Sequence, residues 1–324
     1  MFGLAGTSKT LPCRPGKVWT MEMDQKLFEK MLLPPTGEID AVLDTDAYNE
    51  IDDQFAISYL LKYAPRIRTR AIFAAPFLNE RSTSPEDGME RSYGEILRLL
   101  KLCNREDLLP DVYRGSKTYL EDEASPVESP AAERLIELSR EYTSEKPLYV
   151  VAIGAITNVA SALLLDASMA ERIVLVWLGG HGRMWPDTKE FNLWQDVAAA
   201  RVVFDSDVPL IQLPCMGVVS AFTTTAPELR YHLLGKNPLA DYLAQNVLDC
   251  YPGNNSPWSR VIWDVTAVAW LTDARRYLMW EIVPRRRPTY DGHYETAEGV
   301  PMVYVYHVHR DRLMSDLFGK LLEE

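Results

Sequence analysis

Short apolar segments alternate along the chain with longer stretches whose apolar residues recur at helical spacing. The segments with strand character are residues 39–43, 69–74, 148–153, 173–178 and 208–213. Continuous apolar runs are typical of strands that are buried on both faces, and helical crossovers between such strands indicate parallel pairing. The pattern therefore predicts an α/β fold in which helices flank a mostly parallel, Rossmann-like central sheet.

The stretches between the strands carry the apolar stripes that helices need in order to pack on a sheet. After Asp53, the residues Phe55, Ala56, Tyr59 and Leu60 fall on one helical face, and this pattern ends before a proline. The other predicted helices are residues 86–103, 130–142, 158–165, 197–204 and 238–248. All of these predicted helices except residues 238–248 lie between two consecutive predicted strands, as expected for a doubly wound sheet.

The chain is long enough for one large α/β domain, because 324 residues of which 47% are hydrophobic can bury a large core. We expect that domain to span residues 38–324, with C-terminal additions that include four tryptophans and an alternating strand pattern at residues 302–309. Residues 1–37 contain several prolines and predict an irregular lead-in, with one helix around residues 23–33.

The net charge of −12 disfavours nucleic acids and anionic membranes as partners, because phosphate binding needs clustered Lys and Arg. No segment approaches the ~20 apolar residues of a transmembrane helix. The four cysteines lie far apart, without metal-finger or redox spacing, which fits a reducing compartment. We therefore expect a cytoplasmic protein that binds neither nucleic acid nor membrane.

Four aspartates crowd the stretch V-L-D-T-D-A-Y-N-E-I-D-D, between the first predicted strand and the helix that follows. They are Asp44, Asp46, Asp52 and Asp53. Carboxylates at close range repel one another unless a cation, shared protons or wide separation offsets the repulsion. A bound divalent cation that prefers oxygen ligands is the simplest interpretation.

Polar residues also follow three later apolar segments. Thr157 ends the turn G-A-I-T and begins a predicted helix, where an N-cap role would explain it. The glycine-rich turn at residues 179–182 leads to E-F-N at positions 190–192. Asp264 precedes an apolar helix, where capping would again explain a carboxylate. Taken together, these positions supply oxygen ligands from separate strand ends, which an α/β sheet brings to one edge.

The ordered set D-x-D, D-D, I-G-A-I-T-N, G-G, E-F-N and a late helix-opening Asp resembles the nucleoside hydrolase family, typified by the inosine-uridine preferring enzymes. The resemblance covers roughly residues 39–273. It implies hydrolysis of the N-glycosidic bond of a ribonucleoside or a related, possibly modified, riboside. It also implies a homodimer or homotetramer whose partner molecule is a small nucleoside or riboside.

The resemblance further implies specific roles for residues of this chain. One Ca²⁺ would be held by the carboxylates of Asp46, Asp53 and Asp264 and by the backbone carbonyl of Thr157. Asp46 would also act as the general base, and Asp52 would bind a ribose hydroxyl. Glu190 and Asn192 would hold the hydroxymethyl end of the sugar.

Three departures from the family pattern affect the substrate. The link A-Y-N-E-I is two residues longer than usual, which adds Asn49 as a candidate substrate contact or turn stabiliser. Asn79 follows the second strand and is a candidate for a sugar contact.

The third departure is Trp263, which stands where members often carry a His that protonates the leaving base. An indole can stack on a base but supplies no acid proton. His181 is the spare candidate for an acid, so either the base leaves by another route or the aglycone differs from an ordinary nucleobase.

Two alternatives remain open from the sequence. A strand followed by D-x-D also begins the haloacid-dehalogenase-like phosphatases, where Asp44 would be the nucleophile and Asp46 the general acid. A nucleoside-hydrolase-like protein with weakened turnover, which only binds a riboside or sugar, is the second alternative. The absent His and the altered sugar-binding loop motivate it.

Overall fold

The computed structural model describes residues 25–250, 257–296 and 300–323. The strands are β1 (Ile39–Thr45), β2 (Ile67–Ala74), β3 (Val112–Arg114), β4 (Leu148–Ala152), β5 (Ile173–Leu178), β6 (Leu210–Leu213), β7 (Thr223–Thr224), β8 (Arg260–Val261), β9 (Leu278–Pro284) and β10 (Pro301–Val308). The helices are α1 (Gln25–Met31), α2 (Asp52–Leu61), α3 (Pro85–Leu102), α4 (Pro130–Ser139), α5 (Thr157–Leu165), α6 (Phe191–Gln195), α7 (Val197–Asp205), α8 (Ala226–His232), α9 (Pro238–Asp249), α10 (Val265–Tyr277) and α11 (Arg310–Leu321). Short 3₁₀ helices lie at Glu106–Asp111, Ala167–Glu171 and Val219–Ala221.

Eight strands form one sheet in the order β3-β2-β1-β4-β5-β6-β10-β9. All neighbours pair in parallel except β9 and β10, which are antiparallel. The predicted mostly parallel sheet flanked by helices is therefore confirmed. The C-terminal strands are not separate additions, because β10 pairs with β6 and continues the central sheet.

Two hydrophobic cores cover the faces of this sheet, as the alternation of side chains along a strand requires. In β1, Ala41 and Leu43 belong to the core that contains residues of α2 and α10. Val42, between them, belongs to the opposite core, which contains residues of α4 and α5. The residues after Leu43 continue this alternation toward the carboxyl edge of the sheet. The alternation there determines whether a polar side chain faces α2 or the helices on the opposite face.

The central strands and the main helices lie close to their predicted positions, whereas the short elements β3, β7, β8, α6 and α8 were not predicted. The helix expected around residues 23–33 appears as α1. The rest of the predicted lead-in, residues 1–24, lies outside the described residues, so the boundary at residue 37 stays a prediction. Among the described cysteines, Cys103, Cys215 and Cys250 are free thiols. No helix in the described part of the chain is long and apolar enough to span a bilayer.

Candidate active site

The end of β1 directs consecutive polar side chains to opposite faces of the sheet. Thr45 continues the face of Leu43, and its hydroxyl donates to Oδ1 of Asp53 at 2.5 Å, which ties β1 to the first turn of α2. Asp44 accepts a hydrogen bond of 2.7 Å from the side-chain amide of Asn158 in α5. Thr45 therefore contacts α2, whereas Asp44 contacts α5. The hydrogen bond from Asn158 holds the Asp44 carboxylate away from the acids of α2.

Three buried carboxylates meet where α2 and α10 begin. One carboxylate oxygen from each of Asp52, Asp53 and Asp264 lies within 4.8 Å of the others, and each side chain is almost completely buried. Asp264 is the N-cap residue of α10, but its side chain makes no capping hydrogen bond. Capping therefore does not explain this aspartate, and two helix N-termini direct their positive dipole ends at the cluster.

Asp46 lies beside this trio in an environment without compensating donors. Burial, followed by the charges of Asp53 and Asp52, raises the pKa of Asp46 well above its ordinary value. Both of its carboxylate oxygens are buried and lack a hydrogen-bond partner, as does Oδ1 of Asp52. Buried polar atoms are nearly always hydrogen-bonded, so these oxygens mark a position where an external group completes the site.

The electrostatics of the cluster favour a cation as that group. Burial raises the pKa of Asp53 to about 7, although hydrogen bonds with Thr45 and Asp264 oppose the rise. Burial and the neighbouring carboxylates also raise the pKa of Asp52 and of Asp264 well above the ordinary value. Four neighbouring acids, of which Asp46 and Asp52 have carboxylate oxygens without a hydrogen-bond partner, fit the oxygen ligand set of Ca²⁺. A dication beside them would restore the ionised forms.

A cavity of about 190 Å³ opens directly above the trio. It is lined by Asn49, Glu50, Asp52, Asp53, Ile153, Leu178, His181, Glu190, Phe191, Asn192, Cys215, Met216, Trp263 and Asp264. Among the residues proposed from the sequence, Asn49, Asp52, Asp53, Glu190, Asn192, Trp263 and Asp264 thus line one cavity. Asp46 contacts the cluster without lining this cavity, whereas Asn79 and Thr157 lie outside the lining.

A larger cavity of about 380 Å³ lies between α8 and α11, lined by residues that include Glu228 and Arg310. Arg310 is already paired there with Glu228 and with Asp311. The smaller cavity is the better candidate because its lining combines apolar side chains with convergent carboxylates, and Oδ1 of Asp52 there lacks a hydrogen-bond partner.

Thr157 does not occupy the position that the sequence suggested. It is the first residue of α5 instead of its N-cap, so the N-cap prediction is wrong. Its hydroxyl donates to Asp196 at 2.7 Å. The residue of this segment that lines the cavity is Ile153, at the end of β4, and its carbonyl accepts a hydrogen bond of 3.1 Å from the amide of Asn192.

Glu190 and Asn192 form a preorganised wall of the cavity. The carboxylate of Glu190 accepts hydrogen bonds from the backbone N–H groups of Gly180, Asn192 and Leu193, which fixes the start of α6. The side-chain amide of Asn192 donates to the carbonyls of Ile153 and Leu178, so that it bridges the ends of β4 and β5. This wall is rigid because backbone groups from three segments hold it.

Asn79 supports the site from outside the cavity. Its side-chain amide donates to Oδ1 of Asn49 at 2.6 Å. The additional residues after Asp46 are therefore braced by the segment that follows β2, and the Asn49 side-chain oxygen has a structural partner. Sequence reasoning did not anticipate Cys215 and Met216 in the lining, although their place directly after β6 was a usable signal.

The geometry disfavours the phosphatase alternative. Asp44, the nucleophile in that hypothesis, is completely buried and accepts the hydrogen bond from Asn158. It does not belong to the lining of the cavity. A substrate in this cavity would therefore meet the acids of α2 and α10 before it met Asp44.

Comparison with known proteins places the same region in one family. The family model described as inosine-uridine preferring nucleoside hydrolase matches residues 41–310. The chain is 26% identical over 248 residues to a pyrimidine-specific ribonucleoside hydrolase, RihA, of Escherichia coli O6:H1, a match that covers 68% of this chain and 76% of that relative. It is 32% identical over 143 residues to the RihA of Shewanella sp. strain ANA-3, but that match spans only 45% of the relative's length and 37% of this chain.

Solved structures agree with the fold. A plant nucleoside hydrolase, PpNRh1, superposes with a TM-score of 0.70 at 20% identity and covers 90% of this chain and 100% of its own. A purine-preferring ribonucleoside hydrolase from Gardnerella vaginalis superposes with a TM-score of 0.66 at 19% identity and covers 87% of this chain and 98% of its own. These similar proteins are named for different base preferences, so their names do not identify the base for this chain.

Proposed function

Since the chain belongs to the inosine-uridine preferring nucleoside hydrolase family and is by that membership an N-glycosidase, we propose that it hydrolyses the N-glycosidic bond of a riboside in a calcium-dependent reaction. The observation that carries this proposal is the convergence of Asp52, Asp53 and Asp264 beside the unpartnered oxygens of Asp46. Buried acids that gather beside an open cavity, with some of their oxygens unpartnered, are typical of an active site that binds a cation.

The cation would be held by Asp46, Asp53 and Asp264. We transfer the backbone-carbonyl role from Thr157 to Ile153, because Ile153 lines the cavity and Thr157 does not. When bound, Ca²⁺ supplies Lewis acidity toward water and coordination positions for a vicinal diol. The Asn192 amide, bonded to the Ile153 carbonyl, keeps the end of β4 in place.

Asp46 would act as the general base. A base must be ionised at the operating pH and lie within reach of the proton that it removes. Its raised pKa in the metal-free protein would fall when a neighbouring cation favours the carboxylate, and its two unpartnered oxygens are available to accept a proton from water. Attack of that water on the anomeric carbon breaks the bond between the sugar and its aglycone.

Asp52, Glu190 and Asn192 would position the sugar. Asp52 belongs to the trio and also lines the cavity, so it is placed to accept a hydrogen bond from a ribose hydroxyl. Glu190 and Asn192 form the opposite, rigid wall, which suits the hydroxymethyl end. Asn49 also lines the cavity, and Asn79 would support the position of Asn49 through the hydrogen bond between their side chains.

The test is release of free ribose from a panel of ribosides by the purified protein, with calcium and with a chelator. We expect release that the chelator abolishes and that added Ca²⁺ restores. Release that is indifferent to the chelator would contradict the calcium role. Absence of release across the panel would favour the protein that only binds a riboside.

We also propose that the protein acts in the cytoplasm as a homodimer or homotetramer. The cytoplasmic location is supported by the free thiols of the described cysteines. The homodimer or homotetramer is supported by the oligomeric states common in the family. Light scattering coupled to size-exclusion chromatography measures the assembly directly, and a monomer at all concentrations would contradict it.

A further inference from the structure

The rim of the active-site cavity carries a carboxylate and an indole from two distant segments. Glu50 lies just before α2 and Trp263 just before Asp264, and both line the cavity. Arg260, close to Trp263 in sequence, donates to the Glu50 carboxylate at 2.5 Å. This ion pair joins the segment before α2 to the segment before α10, so that Glu50 and Trp263 border the same opening.

The segment that carries Glu50 is held in place. The side-chain oxygen of Asn49 accepts from Asn79, and the backbone carbonyl of Asn49 accepts from Arg81 at 3.3 Å. The Arg81 guanidinium lies 4.5 Å from the centre of the Tyr48 ring. Because Tyr48 and Asn49 are braced and the Glu50 carboxylate accepts from Arg260, that carboxylate is a fixed part of the rim.

Among the described residues that line the cavity, no side chain is arranged as a proton donor for a departing base. Nδ1 of His181 accepts a hydrogen bond of 3.3 Å from the backbone N–H of Met216. An imidazole that accepts through Nδ1 carries its single proton on Nε2 and is neutral. Burial lowers the pKa of His181 and the charge of Asp187 opposes that shift. The other ring at this opening, Trp263, has no acidic proton at neutral pH.

The remaining candidates for an acid are also unsuitable. Burial and the charge of Glu190 raise the pKa of the Cys215 thiol well above its ordinary value. Glu190 itself accepts three backbone hydrogen bonds, an arrangement that serves the carboxylate form. A neutral nucleobase that left this cavity would therefore leave as an anion, without help from these groups.

A cationic aglycone removes the need for an acid. When the ring nitrogen bonded to the sugar is quaternised, cleavage returns the electron pair of the C–N bond to that nitrogen and releases a neutral base. Water supplies the new C–O bond, and its proton passes to Asp46 and then to solvent. The net reaction converts a riboside cation and water into ribose, a neutral heterocycle and one proton.

The lining has the charge and the surface that such a cation requires. Its carboxylates are Glu50, Asp52, Asp53, Glu190 and Asp264, and His181 is the one basic side chain among the lining residues. A dication in the site and the Arg260 guanidinium, which is paired with Glu50, would together carry three positive charges against five carboxylates, so the cavity stays electronegative. An indole face attracts a cation by about 0.5–2 kcal/mol, which adds to stacking on a flat ring.

We propose, on the basis of the function proposed above, that the substrates of this protein are ribosides of cationic nitrogen heterocycles, with the charged ring between Trp263 and Glu50. Neutral purine and pyrimidine ribosides are poorer substrates of the same site. The aglycone is thus selected by charge and by its ability to leave without a proton.

The kinetic test compares three ribosides in calcium-containing buffer. Nicotinamide riboside has a cationic leaving ring, and uridine has a neutral base that needs protonation. The aglycone of 4-nitrophenyl β-ribofuranoside is uncharged in the substrate and departs as the stable 4-nitrophenolate anion without protonation. We expect kcat/KM for nicotinamide riboside to exceed that for uridine by about 100-fold or more, in line with the loss of general acid catalysis for uridine. In Glu50→Gln, the ratio of kcat/KM for nicotinamide riboside to that for 4-nitrophenyl riboside falls about 10-fold.

A control variant and a binding measurement distinguish a failure of the charge-selection inference from a failure of the proposed function. Glu141→Gln, a surface substitution that removes one paired carboxylate far from the cavity, leaves that ratio unchanged. Calorimetry should show that the 1-methylnicotinamide cation binds about 10-fold more tightly than neutral nicotinamide and that Glu50→Gln removes the difference.

Uridine or inosine turned over as well as nicotinamide riboside would overturn this inference and leave the proposed function intact. No ribose release from any of the three ribosides would overturn the proposed function. Equal affinity for the 1-methylnicotinamide cation and for neutral nicotinamide would overturn the inference, whether or not the protein hydrolyses these ribosides.

Discussion

Gly154 passes so close to Asp46 that a Cβ atom at position 154 would lie 3.1 Å from the carboxylate carbon of Asp46. The end of β4 therefore forms one wall around this carboxylate. Glycine is required at position 154 by close approach and not by backbone conformation, since its φ is not positive. The position of Asp46, and with it the proposed chemistry, depends on the absence of a side chain at residue 154.

Replacing Gly154 by Ala should displace Asp46 without unfolding the protein. A contact of 3.1 Å forces a shift of a few tenths of an ångström, and small displacements of a base are costly for catalysis. We expect kcat to fall about 10-fold and stability to fall by about 1–3 kcal/mol through overpacking. Steady-state kinetics and thermal unfolding measure the two effects.

Gly94→Ala is the matched control for that substitution. A Cβ at position 94 meets nothing within 4 Å, and the residue lies on the exposed face of α3. Activity should stay unchanged, and stability should rise by up to about 1 kcal/mol because alanine is the better helix former. Equal loss of activity in both variants would contradict the proposed role of the Gly154 contact.

Asp46→Asn should remove hydrolysis while the fold persists. The amide keeps the shape of the side chain but cannot accept the proton, so kcat should fall about 10²- to 10⁴-fold. Thermal stability without calcium should not fall, because the substitution removes a buried, unpartnered acid. Ribose release within threefold of the wild-type rate, about 0.6 kcal/mol, would rule out Asp46 as the base.

Calcium should stabilise the protein more at high pH than at low pH. Without metal, the folded-state pKa values of Asp46, Asp52, Asp53 and Asp264 lie above their ordinary values. The folded state then holds more protons than the unfolded state from about pH 4 to about pH 7, the window given by Asp53. The stability of the metal-free protein should fall as pH rises through this window.

A cation that binds the ionised carboxylates reverses this loss. Calcium at about 100 times its Kd adds about 2.7 kcal/mol, so Tm should rise by about 5 °C near neutral pH and by less at pH 5. Differential scanning fluorimetry at several pH values measures the shift, and Asp264→Asn serves as the control that should lose most of it. A calcium shift that is constant with pH would contradict the proposed site.

Asp40 should stabilise the fold with the opposite pH dependence. Burial opposes its ionisation, but hydrogen bonds from Arg68 and Tyr142 together with the charges of Arg68 and Arg70 hold the pKa of Asp40 below its ordinary value. Its contribution is therefore present above about pH 4 and is lost as pH falls through the folded-state pKa.

Asp40→Asn should cost about 1 kcal/mol at pH 7, because Arg68 is largely exposed and solvent weakens the pair. The difference from wild type should shrink as pH falls from about 4 through the lowered folded-state pKa of Asp40. Urea unfolding at pH 7 and at a series of acidic pH values checks this, and a constant difference would show that packing, not charge, is responsible.

The sequence by itself determined the layout of the protein. Apolar runs separated by helical stripes specify a parallel sheet, and polar residues after Leu43, Ala152 and Leu178 come together because the carboxyl ends of parallel strands share one edge. For that reason Asp52, Asp53, Glu190, Asn192 and Asp264 were identified as neighbours before any coordinates. Local spacing and strand direction suffice for such a prediction.

Only the tertiary structure decided which of these groups remain available for chemistry. Asp44 and Asp46 are equivalent in sequence, yet Asp44 accepts from Asn158, 114 residues away, and Asp46 has no partner. Thr157 lies outside the cavity lining, where its hydroxyl donates to Asp196, whereas Ile153 of the same segment lines the cavity. Glu50 meets Arg260 across 210 residues. Burial and hydrogen-bond partners depend on contacts between distant segments, and no local pattern encodes which of several possible contacts forms.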